Sequence, residues 1–180
     1  HLGIINADEA APIKSITGHH HLSSVEQVDQ SPLTRTPRST PAVHSGAFDA
    51  IRQLYTLEEE ALEQQLTPGY FSFNSGTGRC QRCLGNGFEK VEMQFLSDVF
   101  VPCPICESRR FKSEILAITW QGKSIADLLT TSITDALPLF AEKPAIHARL
   151  QSLNTVGLGY LTLGQPLNTL SGGEAQRLKL

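Results

Sequence analysis

All four cysteines of the chain stand in two Cys-x-x-Cys pairs, Cys80 with Cys83 and Cys103 with Cys106. The 19 residues between the pairs fall within the spacing of zinc ribbons. Zn²⁺ takes four ligands at the corners of a tetrahedron, and each short pair can supply two thiolates. The sequence therefore predicts one structural zinc ion per chain. A redox-active disulfide is the alternative, which a reducing compartment disfavours.

A second stretch that could do chemistry is Leu170 followed by Ser171-Gly172-Gly173-Glu174. Ser171 is placed to cap a helix, and Glu174 would complete a capping box. The two glycines leave backbone N–H groups unshielded at the positive end of that helix, which is typical of phosphate binding. The same letters form the signature motif of ABC ATPases. An ordinary capped helix is the alternative reading of the motif alone.

Basic residues around the cysteines are the third candidate, because they form the densest basic group of the chain. We predict that they contact DNA phosphates, with a merely solvated surface as the alternative; they are Arg79, Arg82, Arg109, Arg110 and Lys112. The net charge of −3 excludes a polycation that grips nucleic acid by charge alone. The histidine run 19–21 is predicted to be an exposed loop, and Trp120 a core anchor.

The elements that must position these residues can be read from periodicity. Three prolines in 31–41 predict an extended loop, in which Arg35 and Arg38 are either solvated or near phosphate. Apolar residues at helical spacing predict one helix over 46–66, stopped by Pro68-Gly69. Alternation over 90–95 predicts a half-buried strand between the cysteine pairs, and 115–120 a return strand.

Helices are expected again after the cysteine-containing region. Ser124 and Asp127 form a predicted capping box. Ile133, Leu137 and Phe140 would share one face of the next helix. A further helix is predicted to start at Pro144, to bury Ile146, Leu150 and Leu153, and to end before Gly157.

Composition supports a folded chain: 180 residues, 40% hydrophobic and 18% charged. No apolar run approaches the ~20 residues of a membrane span, so we expect no membrane partner. Cysteine thiolates held by zinc fit a reducing compartment, so we expect a cytoplasmic location. Residue 1 is histidine, which suggests a piece of a longer protein. We predict an α+β fold with four parts: an N-terminal segment (1–45), a helical segment (46–70), a zinc module (71–123) and a helical signature subdomain (124–180).

The chain resembles the UvrA family, the ABC-type ATPases of bacterial nucleotide excision repair. The resemblance covers about residue 20 to the end and is carried by the signature and by the stretches 29–39, 71–80, 91–96 and 156–160. It implies that this region interrupts the second nucleotide-binding half, as a helical signature subdomain with an inserted β-rich zinc ribbon.

The resemblance also implies that the ATP site is shared between this chain and the other half of the intact protein. The chain has neither a Gly-x-x-x-x-Gly-Lys-[Ser/Thr] loop nor an acidic Walker B strand, so it should be inactive alone. Ser171, Gly172, Gly173 and Glu174 would contact ATP held by the other half of the intact protein. Gln30 resembles the glutamine that senses Mg²⁺ and the γ-phosphate. Damaged double-stranded DNA, a UvrB-type helicase subunit, the remaining nucleotide-binding domains and a homodimer are the implied partners.

Some residues depart from the family pattern and leave alternatives open. The stretch 58–65 is acidic where family members place basic residues, and Tyr70 stands where arginine is common. These departures indicate a divergent member. A paralogue that protects against a DNA-binding drug is therefore the alternative function, and a non-catalytic zinc-ribbon adaptor the weaker one.

Overall fold

The computed structural model describes residues 15, 17–24, 36–93 and 98–179. Eight α-helices and two small antiparallel sheets make up this part, together with 3₁₀ turns at His19–His21 and Leu167–Thr169. The helices are α1 (Pro41–His44), α2 (Ala47–Tyr55), α3 (Glu59–Glu63), α4 (Ser113–Ala117), α5 (Ile125–Thr130), α6 (Ile133–Leu139), α7 (Pro144–Thr155) and α8 (Gly172–Lys179). The strands are β1 (Phe88–Val91), β2 (Val99–Pro102), β3 (Thr119–Trp120) and β4 (Lys123–Ser124). The predicted α+β class is confirmed.

One apolar core runs through the helical part and into the base of the cysteine-containing region. Phe48 of α2 packs its ring against Phe73, with ring centroids 5.1 Å apart, and Phe73 meets Phe111 edge-on. Trp120 stacks on Phe140 at 5.1 Å and is 8% exposed, which confirms its predicted place in the core. Residues from all four predicted ranges belong to this core.

The helices after residue 123 begin where their caps predict. Ser124 accepts the backbone N–H of Asp127, and Asp127 accepts the N–H of Ser124 at 2.9 Å, which confirms the capping box. Pro144 occupies the first turn of α7. Ile146, Leu150 and Leu153 are buried along one face of that helix, as the periodicity predicted.

The single helix predicted over 46–66 is wrong, because the chain forms α2 and α3 with a turn between them. The Thr56 hydroxyl donates to the carbonyl of Gln53 at 2.7 Å and helps to close α2. Glu59 and Glu60 lie in the first turn of α3, where negative charge is favoured by the helix dipole. Leu62, predicted to face the core, is 60% exposed.

The strands predicted around the cysteines also need correction. Residues 113–117 form α4, which buries Ile115, so the return strand shrinks to β3. Glu114, Leu116 and Ala117 are good helix formers, so local propensity agrees with the helix. Of the strand predicted over 90–95, residues 90 and 91 belong to β1, residues 94 and 95 lie outside the described residues, and Val91 and Met93 are both 44% exposed, so the described part is not half-buried. Within the described residues β1 pairs only with β2, and β2 is exposed along its whole length.

Candidate metal centre and signature helix

The four cysteine sulfurs converge at one point. The Sγ atoms of Cys80 and Cys103 are 3.9 Å apart, those of Cys83 and Cys106 are 3.6 Å apart, and all four lie within 4.8 Å of one another. A tetrahedron with Zn–S bonds of about 2.3 Å has edges of about 3.8 Å. The sulfurs are therefore spaced as zinc requires, and all four residues are buried.

Backbone N–H groups surround these sulfurs. Gly87 N–H donates to Cys83 Sγ at 3.2 Å, and the backbone N–H of Arg110 favours the thiolate form of Cys106. Burial opposes the thiolate of Cys103, but the N–H groups of Cys106 and Ile105 outweigh it and lower the pKa of Cys103 to about 7. Burial raises the pKa of Cys83 and of Cys106. A bound dication such as Zn²⁺ would reverse this effect of burial. It binds the deprotonated thiolates, and its charge offsets the free-energy cost of burying theirs.

The first Cys-x-x-Cys turn depends on glycine at one position. Gly85 has φ of +83°, and a Cβ there would lie 1.9 Å from the carbonyl oxygen of Phe73. Leu84 of the same turn is also left-handed at φ of 52°, and the second turn places Glu107, Ser108 and Arg110 at φ of 49°, 67° and 70°. Left-handed conformations are costly for such residues and persist where the surroundings impose them.

The two turns are joined to each other and form what we call the knuckles (residues 80–87 and 103–112). Cys80 N–H donates to the carbonyl of Arg110 at 2.8 Å, and Cys103 N–H donates to that of Gly87 at 3.0 Å. β1 and β2 continue from the knuckles as a ladder that pairs Phe88 with Pro102 and Val91 with Val99.

The first turn of α8 is built as its sequence predicts. Ser171 N–H and Ser171 Oγ each lie 2.7 Å from Glu174 Oε2, and Glu174 N–H returns a longer bond to Ser171 Oγ at 3.4 Å. Tyr160 donates its hydroxyl to Glu174 Oε1. The Tyr160 and Ser171 hydrogen bonds lower the pKa of Glu174 to about 2.

Gly172 and Gly173 leave the start of α8 open. Both residues are exposed, and a Cβ added at either would meet no described atom within 4 Å. An anion can therefore approach the first backbone N–H groups of α8, where the helix dipole favours negative charge. Gln30, predicted to belong to the same nucleotide site, lies outside the described residues.

The basic residues predicted to contact DNA differ in the contacts that they make within the protein. Arg82 pairs with Glu89 at 2.6 Å on the surface, and its side chain is 60% exposed. Lys112 lies 3.7 Å from Glu114, and Arg109 lies 3.3 Å from Asp127. Arg79 donates to the carbonyl of Asn74 at 2.6 Å. Arg110 differs from the rest, because its guanidinium lies over the Phe73 ring, 4.8 Å from the centroid.

Comparison with known proteins shows which proteins this chain resembles. The UvrABC system protein A of Clostridium perfringens is 49% identical over 179 residues, which is 98% of this chain and 19% of that protein. The protein of the same name from Bacillus subtilis is 51% identical over 167 residues, 93% of this chain and 18% of that protein. The chain belongs to the UvrA family. It spans about a fifth of the length of these relatives.

A solved structure agrees with the UvrA assignment. UvrA2 from Deinococcus radiodurans matches 84% of this chain and 19% of its own length, with a TM-score of 0.81 and 47% identity. No family model matches the chain. Within the described residues no helix is long and apolar enough to cross a bilayer.

Two contacts of this UvrA segment were not anticipated from the sequence. Arg38 donates to Asn86 Oδ1 at 3.2 Å and to the carbonyl of Leu84 at 3.3 Å, so it ties the proline-rich loop to the first knuckle. Tyr160 reaches Glu174 from the loop after α7. Neither contact follows a recognisable sequence spacing, because the two partners of each contact lie far apart in the chain.

Proposed function

We propose that this chain is the segment of a UvrA-type ATPase that binds one zinc ion, presents the signature motif to ATP and serves damage recognition in nucleotide excision repair. The observation that carries the proposal is identity of about half the residues along nearly the whole chain with UvrABC system protein A. The four converging sulfurs and the open start of α8 support it independently.

The signature helix would act on ATP bound by the opposite nucleotide-binding half. The N–H groups of Gly172 and Gly173 are exposed donors for phosphate oxygens, with Mg²⁺ supplied beside the nucleotide. Ser171 Oγ lies 2.7 Å from Glu174, so the hydroxyl must turn from that carboxylate to reach a γ-phosphate. Glu174 then keeps the helix start capped through the Ser171 N–H. Gln30 would complete the site.

Zinc would be held by Cys80, Cys83, Cys103 and Cys106, one ion per chain. When bound it supplies the charge that four buried thiolates need, and it fixes the knuckles in place. The described residues fit this group in number, type and spacing. Its role is structural, because all four coordination positions are taken by protein ligands.

DNA phosphates would meet the outward-facing basic side chains of the knuckles. Arg82, Arg109 and Lys112 have side chains that are 60%, 44% and 31% exposed. Arg79 and Arg110 use their donors inside the protein, so they would support the surface more than touch DNA. Recognition of damage would then depend on DNA shape and deformability rather than on base edges.

The intact protein would work in the cytoplasm with the partners that the family implies. These are its other nucleotide-binding domains, a second copy of itself and a UvrB-type helicase subunit. A specialised paralogue that protects against a DNA-binding drug is the second candidate. The acidic stretch Glu58–Glu60, which replaces expected basic residues, favours it.

The deciding experiment measures binding of the full-length protein to matched intact and lesion-containing duplexes, with and without ATP, across a salt series. Repair predicts a preference for the lesion that ATP modulates. Equal binding to both duplexes would favour the paralogue. Neutralising Arg82 and Lys112 should weaken binding and flatten its salt dependence.

The signature role is tested by Ser171→Arg, which places a bulky side chain where phosphate should sit. We expect ATP turnover to fall about a hundredfold, the scale of losing one oriented donor to a transition state. Gln151→Arg on the exposed face of α7 is the matched control and should leave turnover unchanged. Equal turnover in both variants would refute the signature role.

A further inference from the structure

A cavity of about 390 Å³ lies between the second knuckle and the signature subdomain. Its walls include Arg109 and Arg110 from the knuckle, Asp127 from α5, and Gly164 and Gln165. The last two belong to the segment that leads into α8, which we call the lead segment (residues 162–170). The side chain of Arg110 reaches from the second knuckle to Gly164 of the lead segment.

The backbone of Arg110 is part of the zinc centre. Its carbonyl accepts the N–H of Cys80 at 2.8 Å, and the preceding residue, Arg109, donates its N–H to the carbonyl of Cys106 at 2.7 Å. Arg110 adopts φ of 70°, a conformation that these bonds help to impose. The position of Arg110 is therefore set by both cysteine pairs at once.

The side chain of Arg110 joins the lead segment. Nη2 donates to the carbonyl of Gly164 at 2.9 Å, and the guanidinium plane lies over Phe73. Nη1 is buried without a hydrogen-bond partner. Arginine is suited to this place, because its planar group can stack and donate at the same time.

No carboxylate pairs with Arg110 in the ion pairs of the described residues. Asp127, in the same cavity, is engaged by Arg109 and Ser124. Burial lowers the pKa of Arg110, and the thiolates of Cys83 and Cys106 oppose that change. A zinc ion with four thiolates has a net negative charge, so a loaded centre favours the buried guanidinium.

The lead segment is fitted closely to its surroundings. Gly164 N–H donates to the carbonyl of Leu129 at 2.8 Å, and Leu167 N–H donates to that of Ser39 at 2.9 Å. A Cβ at Gly164 would lie 2.8 Å from Leu129 Cβ. A displacement of Gly164 would therefore disturb the backbone hydrogen bonds of the lead segment, which directly precedes Ser171.

We propose that Arg110 is a positioning residue that ties the lead segment, and with it the start of α8, to the zinc centre. Zinc occupancy then sets how firmly the signature motif is held. This inference rests on the proposed zinc binding and signature role. It assigns to Arg110 a mechanical link inside the protein instead of a contact with DNA.

The test is amide hydrogen exchange on the zinc-loaded full-length protein, with Arg110→Met compared with Arg82→Met. Both substitutions remove one guanidinium from the knuckles, but Arg82 pairs outward with Glu89. In Arg110→Met we expect the Gly164 and Leu167 amides to exchange about tenfold faster, from loss of a charged hydrogen bond. Arg82→Met should match the wild type. Equal exchange at these amides in the two variants would overturn the proposal.

A second arm uses the wild type with zinc removed, and so does not depend on whether Arg110→Met folds. The same two amides should speed up while those of Leu150 and Leu153 in α7 stay protected. Unchanged exchange in the lead segment after complete removal of zinc would contradict the link. The exchange readout needs no ATP turnover, so failure here is distinct from failure of the signature role, which Ser171→Arg reports.

Discussion

The helical part and the knuckles are stabilised by different means. The helices surround a continuous apolar core that includes Phe71, Phe140 and Leu150, all fully buried. The buried centre of the knuckles is instead four cysteines, and the strands beyond them are largely exposed. One part is held by burial of apolar surface, while the other has little apolar surface of its own and would gain its stability from a bound metal ion. The contrast predicts that the stability of each part can be changed with little effect on the other.

Zinc removal should separate the two regions most sharply. Binding of structural zinc contributes about 10 kcal/mol or more to the folding of small modules. A chelator should therefore expose the Cys80 and Cys103 amides to exchange. Trp120, the one tryptophan of the chain, stacks on Phe140 in the helical part and should keep its fluorescence. If the fluorescence changed at the same chelator concentration as the amides, the two regions would be a single cooperative unit.

Phe140→Ala tests the comparison from the other side. Removal of a fully buried phenylalanine costs about 3–5 kcal/mol, and here it also removes the ring stacked on Trp120. Denaturant unfolding followed by Trp120 fluorescence measures the loss. Zinc affinity of the folded variant should stay within error of the wild type. A matching fall in zinc affinity would show that the core, not the metal, organises the knuckles.

The smallest expected effect concerns pH and the start of α8. The folded state lowers the pKa of Glu174 from 4.5 to about 2, so the carboxylate is the form that folding favours. Its contribution is complete above about pH 4.5 and is lost as pH falls through about 2. NMR titration of the Glu174 carboxyl measures the midpoint. A midpoint near 4.5, the ordinary value for this carboxyl, would show that the Tyr160 and Ser171 bonds do not form in solution.

Local chemistry made part of this structure predictable. The cysteine spacing indicated a tetrahedral set, and the sulfurs converge as expected. The caps at Ser124 and Pro144 located α5 and α7, because such signals act within one helical turn. The four-thiolate site was therefore the most predictable feature of the molecule, and membership of the UvrA family followed from longer stretches of residues.

Tertiary packing decided what could not be predicted. The pattern over 115–120 predicts a strand, yet Ile115 is buried by a helical turn, and Gly78 allows its close approach. Arg110 resembled its basic neighbours in sequence and differs from them only through Phe73 and Gly164. Contacts between residues far apart in the chain leave no periodic signal, so this role of Arg110 required the structure.

The ladder of β1 and β2 has a further consequence for the protein in concentrated solution. Val99, Phe100 and Val101 present apolar side chains on a short strand, with Phe100 59% exposed. The pair Phe88–Pro102 at its base adjoins both knuckles, so a metal ion held by the four cysteines would fix the two strands against each other. Strands freed from such a constraint offer unpaired edges to other molecules. A bound zinc ion would therefore guard against self-association as well as shape the fold.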